Sequence, residues 1–162
     1  MPKPDPNLAL TVSLLDRLID LKPNVSEDPP ASRSQSIRQL KASVRRDLEW
    51  LLNTHQNPDR APETYEELSR SLYNYGLPDV TSMGLHSPRD RQRLLRLIEQ
   101  TVQIFEPRLV GVHVRALENP GLGPAVLRFQ IEALLEMDPA PERILFDTVL
   151  QLNSGEYQVK GD

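Results

Sequence analysis

Residues 104–117 read Ile104-Phe105-Glu106-Pro107-Arg108-Leu109-Val110-Gly111-Val112-His113-Val114-Arg115-Ala116-Leu117, and within them the hydrophobic period of the chain changes. Upstream, apolar residues recur every three or four positions, as on one face of a helix; downstream they alternate, as on one face of a strand. Pro107 disfavours helical geometry in the residue before it, so a helix arriving from upstream ends by Phe105 or Glu106. Two opposite charges, Glu106 and Arg108, flank that proline at the seam.

Working upstream, Ser87-Pro88-Arg89-Asp90 opens a long helix with a cap, a proline in the first helical position and an acid in the first turn. Leu94, Leu95, Ile98, Val102 and Phe105 share one broad face of it, with Leu97 and Ile104 at the margin. Before it, Tyr73-Asn74-Tyr75-Gly76-Leu77-Pro78-Asp79 reads as an ordered turn in which Gly76 takes a left-handed conformation. A short helix is expected over 64–72, capped by Thr64 and anchored by Leu68 and Leu72. Another long helix is expected from 34 or 36 to 52, since Ile37, Leu40, Val44, Leu48 and Leu51 form one stripe. Trp50 falls off that stripe with Gln39, Ser43 and Arg46, and packing beneath another element is the expectation for so large an apolar ring. Near the start, residues 11–21 read as a short helix capped by Ser13, with Leu14, Leu15, Leu18 and Ile19 on one side. Such a helix is marginal alone and must dock, either on its own body or on another chain.

Downstream, Val110, Val112, Val114 and Ala116 fall on one face of a strand, and Leu109, His113, Arg115 and Leu117 on the other. Residues 119–124 carry every turn signal. Leu127, Phe129, Ile131, Ala133 and Leu135 then alternate with Arg128, Gln130 and Glu132, and a third strand places Phe146, Thr148, Leu150 and Leu152 together. Leu145 and Val149 make its second face apolar as well. A last short strand is expected near Tyr157 and Val159. The order describes an α+β chain: N-terminal helices followed by a small antiparallel β-meander of three to four strands with open edges. Residues 1–33 read as a proline-rich N-terminal arm carrying the short helix, and 34–162 as a single domain.

Composition narrows the function. The 162 residues suffice for one sizeable core, and the absence of cysteine removes disulfides, thiolate metal sites and cysteine nucleophiles. No apolar run approaches the length of a membrane span and the first residues lack the pattern of a signal peptide, so a cytoplasmic protein is expected. A net charge of -4 and few aromatic residues disfavour a dedicated nucleic-acid binder. There is no Gly-x-Ser-x-Gly, Walker loop, dinucleotide fingerprint or His-Glu-x-x-His, and His55, His86 and His113 lack metal-like spacing. Catalytic, metal and cofactor residues are therefore expected to be none. A glycosidase needs only two carboxylates at a suitable separation, for which Glu106 with Glu132 or Asp147 are the candidates.

The Glu106-Pro107-Arg108 triplet carries more information. In extended backbone both charged side chains project to one side, in line with Val110, Val112 and Val114, at the margin of the buried face. They can form an internal ion pair that fastens helix to sheet, or a charged pair that engages a partner protein. Chemistry alone favours the internal pair, because partly buried charges find partners within their own chain.

Several stretches together resemble a known family: Leu14-Leu-Asp-Arg-Leu18, Arg45-Arg-Asp-Leu-Glu-Trp-Leu-Leu-Asn53, Asn74-Tyr-Gly-Leu-Pro-Asp79, Phe105-Glu-Pro-Arg108, Phe129-Gln-Ile-Glu-Ala133, Phe146-Asp-Thr-Val-Leu150 and Ser154-Gly-Glu156. The chain is similar to TssE, the type VI secretion baseplate subunit, a family grouped with wedge proteins of contractile phage baseplates and historically labelled lysozyme-like. That resemblance implies a non-enzymatic piece that joins the baseplate core to the contractile sheath and helps to start sheath assembly at the inner face of the cytoplasmic membrane. It implies protein-binding roles for Glu106, Pro107 and Arg108, and a sheet like the strand-exchanging region of sheath subunits. The implied partners are the baseplate proteins TssF, TssG and TssK and the sheath proteins TssB and TssC, with no cofactor. The alternatives from other classes are a peptidoglycan-cleaving, lysozyme-like hydrolase and a regulatory protein-binding module of the same fold.

Overall fold

A computed structural model describes residues 13–19, 32–59, 64–80, 87–118 and 125–161. Most of the proline-rich arm expected over 1–33, His86 and the turn expected at 119–124 lie outside the described residues. Helices α1 (Leu14–Leu18), α2 (Arg33–Asn53), α3 (Glu66–Ser69) and α4 (Pro88–Phe105) precede strands β1 (Leu109–Ala116), β2 (Val126–Leu135), β3 (Glu142–Gln151) and β4 (Glu156–Gly161). The strands form one open antiparallel sheet in the order β1-β2-β3-β4, which is the α+β meander expected from the change of period. One face of the sheet packs on the helices, with α4 over β1 and α2 over β4.

Local chemistry explains the element boundaries. Ser32 and Gln35 form a reciprocal capping box that starts α2 slightly earlier than the sequence suggested. Ser87 caps α4 with Pro88 behind it, and Ser13 caps α1 by accepting from the Asp16 amide. The core draws mainly on the predicted stripes, Leu40, Val44, Leu48 and Leu51 of α2, Leu94, Leu95, Ile98 and Val102 of α4, and the inward rows of β2, β3 and β4, while Ile37 is only half-buried and Leu52, Leu77 and Val80 join it from outside them. The expected helix over 64–72 is shorter than the sequence suggested. Thr64 does not cap it, α3 spans four residues, and a 3-10 turn at Leu72–Asn74 follows, with Leu72 exposed.

Two glycines carry the backbone where other residues would strain it. Gly76 has φ +102 and lies so close to Thr54 that a Cβ would sit 2.2 Å from the Thr54 carbonyl oxygen. This approach lets Leu77 N–H donate to Thr54 O at 2.9 Å and Gln56 N–H donate to Leu77 O at 2.8 Å, tying the turn to the end of α2. Gly111 has φ +64 with open space around it, and it forms a β-bulge: Val110 pairs with Leu134 but His113 already pairs with Glu132. The bulge overturns the simple alternation expected for β1. Leu109 and Val112 are both buried, whereas Val110 is turned to the outer face and is 44% exposed. A glycine inside a strand was the available signal.

Gly76→Ala should destabilise the protein by about 3 kcal/mol, because strain and a backbone clash add. Gly111→Ala, which meets strain alone, should cost about 1 kcal/mol. Urea denaturation of the two variants beside wild type checks the ranking.

Candidate functional site

At the end of α4, Glu106 leaves the helical conformation, and the chain turns at once instead of running straight into β1. Leu109 N–H donates to Glu106 O at 3.0 Å, closing a four-residue turn with Pro107 at its second position, where a fixed φ is favourable. The triplet is therefore a turn and not the extended segment expected from the sequence. Glu106 and Arg108 do not continue the row of Val110, which faces the other way. The turn instead folds the two side chains onto each other: Arg108 Nε donates to Glu106 Oε1 at 2.6 Å and Arg108 Nη2 to Glu106 Oε2 at 2.5 Å. This is a bidentate, charge-assisted pair around a carboxylate that is only 5% exposed.

Arg108 is also anchored to α2. Its Nη2 donates to Asp47 Oδ2 at 2.6 Å and its Nη1 to Ser43 Oγ at 3.2 Å. Ser43 in turn donates to Asp16 Oδ2 of α1 at 2.6 Å. Arg46 closes a ring by bonding Asp47 Oδ1 at 2.8 Å and Asp16 Oδ1 at 2.8 Å. One network thus joins α1, α2 and the turn between α4 and β1. It contains three carboxylates and two guanidinium groups. The carboxylates, first of all Glu106, which accepts hydrogen bonds from it, hold the Arg108 guanidinium well above its ordinary pKa, so it stays charged. Burial pushes the Asp16 carboxyl up, but hydrogen bonds from Ser13 and Ser43 and the nearby Arg46 outweigh it and leave it below its ordinary value.

The sequence singled out Glu106, Pro107 and Arg108, and the structure brings the two charges together as the internal pair that chemistry alone favoured. It did not identify Asp16, Ser43, Arg46 or Asp47 as their partners. The available signal was the off-stripe row of α2: Ser43 and Arg46 were noted there with Trp50, and Asp47 lies one turn from Ser43. Trp50 itself corrects an expectation. It is 51% exposed, with the Arg46 guanidinium 4.9 Å from its ring centroid, beside a shallow recess that it lines with Arg45, Arg46, Glu49 and Asn53. Helix α1 docks on its own chain through Asp16 and leaves Leu14, Leu15, Leu18 and Ile19 outward.

The carboxylates considered for glycoside chemistry do not converge. Glu106 is held by Arg108 on the helix side, whereas Glu132 bonds Arg143 at 2.6 Å and Asp147 accepts from Gln130 at 2.6 Å on the opposite face of the sheet. Among the described residues no cluster of His, Asp and Glu is placed to hold a metal ion, and no helix is long and apolar enough to cross a membrane.

Residues 38–140 match the family model described as "Baseplate wedge protein gp25". The chain belongs to that family. The match runs from α2 through β2 and includes the whole seam, while β3 and β4 lie beyond it. Among solved structures the chain is similar to one from "The baseplate complex from the type VI secretion system", at 22% identity over 70% of this chain and 96% of that one, with a TM-score of 0.47. No curated protein matches the chain.

Arg108→Met should destabilise the protein by about 3–5 kcal/mol, because it strands the buried Glu106 carboxylate without a cation. Asp47→Asn should cost less, since Arg108 keeps Glu106; urea denaturation compares them. The lowered Asp16 pKa gives α1 a pH dependence. Its ionic tether is complete above the ordinary carboxyl value of 3.8 and is lost as pH falls through the lower folded value, since the unfolded state then binds the proton first. Protection of the α1 amides, taken relative to the intrinsic exchange rate at each pH, should fall through that acid range, and in Asp16→Asn it should be low already at neutral pH.

Proposed function

We propose that this chain is a non-enzymatic, cytoplasmic component of a type VI secretion baseplate that links the wedge to the contractile sheath and helps to start sheath assembly. The observation that carries the reading is the seam: a family-matched segment in which a turn and a half-buried ion-pair ring fix Glu106 and Arg108. Such a construction holds a rigid knuckle at the surface. Pro107 is exposed, and the Arg108 side chain beside it is 26% exposed although its nitrogens bond Glu106, Asp47 and Ser43. The motif resemblance to TssE supplies the type VI assignment and the partners: TssF, TssG and TssK in the baseplate, and TssB and TssC in the sheath. Glu106, Pro107 and Arg108 act in protein docking through this knuckle, and the internal pair preorganises them, which lowers the entropy lost on binding. The doubly held Glu106 carboxylate is poorly suited to donate a proton to a sugar, which argues against the lysozyme-like alternative.

Two conservative variants test the docking role without removing the fold. Glu106→Gln keeps shape and a hydrogen bond; Arg108→Lys keeps charge but loses the bidentate fork. Both should give folded protein by circular dichroism that enters purified baseplates poorly and no longer supports sheath assembly. Normal assembly by both folded variants would confine the triplet to internal packing. Reproducible peptidoglycan cleavage by wild type, lost in Glu106→Gln, would overturn the non-enzymatic reading.

A further inference from the structure

The face of the sheet turned away from the helices is polar along much of its length. Arg115 donates to Gln130 Oε1, Gln130 donates in turn to Asp147 Oδ1 at 2.6 Å, and Arg143 bonds Glu132 at 2.6 Å, so these side chains satisfy one another across the strands. Apolar surface gathers at one end. Among the described strand residues, Val110 and Leu134 are the large apolar side chains left exposed, at 44% and 42%, and they are direct partners across the β1–β2 ladder. The bulge at Gly111 accounts for the first of them, since it lets Leu109 and Val112 both turn inward and leaves Val110 outward.

Val110 and Leu134 line an open recess of about 550 Å3 together with Met137, Pro139 and Pro141. The segment that forms its far side is fastened to the body at several points. Glu136 N–H donates to Arg108 O at 2.9 Å, Arg33 of α2 donates to the Asp138 carbonyl oxygen, and Lys41 of α2 bonds Glu142 at 2.8 Å. A concavity already formed in the free protein costs little conformational entropy to fill. Glu136 and Asp138 line it as well, and their exposed carboxylates have no partner among the described residues. The cations nearby are committed: Arg33 and Lys41 as above, and Arg143, which lies across the β2–β3 ladder from Leu134, to Glu132.

An apolar recess lined by two unpaired carboxylates selects among ligands. The phosphates of a nucleic acid or an anionic bilayer would meet like charge, whereas an apolar side chain with a Lys or Arg close by in its own sequence satisfies both the apolar and the acidic part. We propose that this recess is a docking site for a segment of another baseplate protein, which sets an apolar side chain against Val110 and Leu134 and a neighbouring Lys or Arg against Glu136 and Asp138. The contact is made by side chains on the outer face of the sheet and leaves the Glu106–Arg108 pair intact. The inference rests on the baseplate reading above for its partner, and it adds a second contact surface, joined to the Glu106-Pro107-Arg108 turn through Arg108 O.

The test titrates purified chain onto baseplate complexes prepared without it and reads the apparent Kd. Leu134→Ser, and separately Glu136→Lys with Asp138→Lys, each checked as folded by circular dichroism, should weaken binding about tenfold. Wild-type affinity should fall as NaCl is raised, and Glu136→Gln with Asp138→Asn should flatten that dependence. Photoreactive benzoylphenylalanine in place of Leu134 should cross-link, in the reconstituted complex, to an apolar residue of another baseplate protein that has a Lys or Arg within about four positions. Unchanged affinity in either Leu134→Ser or the double Lys variant, or cross-links confined to a second copy of this chain or to an acidic segment, would overturn the proposal while leaving the wedge reading intact. Wild type that does not bind the complexes at all would overturn the wedge reading, and this docking site with it.

Discussion

Burying the Glu106 carboxylate is the constraint from which much of the arrangement follows. An ionised carboxylate removed from water must be met by a cation and by hydrogen bonds, or its desolvation outweighs the packing gained around it. Arg108 meets it two residues later, which is possible because Pro107 holds the chain in a turn that folds the two side chains together. The guanidinium then has donors left over, and these fasten Asp47 and Ser43 of α2. The two long helices lie over the two edge strands on one face of the sheet and touch each other little, so this polar seam ties the helical layer to the start of β1.

A polar ring of this kind contributes geometry more than net stability. Hydrophobic residues of equal volume could hold the same elements together without a desolvation cost. They would not place a guanidinium at a fixed point at the surface, nor would they report the position of α1 through Asp16. The ring contains one more carboxylate than guanidinium groups, and every carboxylate oxygen in it accepts a hydrogen bond from within the chain.

Much of the fold is legible in the sequence because burial is one-sided. The inward row Leu127, Phe129, Ile131, Ala133 and Leu135 of β2, the stripes of α2 and α4 and the Ser87-Pro88 start all appear where period and capping chemistry place them. What pattern could not reveal are features that depend on a partner distant in the chain or on one unusual residue. Gly111 shifts β1 by one residue and reverses the side on which Val110 points, and period two cannot announce its own interruption. The ring depends on Asp16, Ser43 and Asp47, residues whose polar character is equally compatible with a solvated helix surface. Trp50 was expected to be covered on grounds of size, but its side of α2 is not part of the core.

Helix α1 inverts the usual logic of an amphipathic helix. At five residues it cannot persist on helix propensity, and a segment of that kind normally docks by its leucines. Here it docks by Asp16, whose carboxylate is held by Ser13, Ser43 and Arg46, while Leu14 and Leu18 face outward. Its order is therefore borrowed from the same ring that positions Arg108. A partner that draws Arg108 or Asp47 toward itself must loosen Arg46 and Ser43, and with them the tether of α1. Conversely, anything that fixes α1 against α2 stiffens the seat of Arg108. The arm and the Glu106-Pro107-Arg108 turn are distant in sequence, but mechanically they are two sides of one hydrogen-bonded circuit.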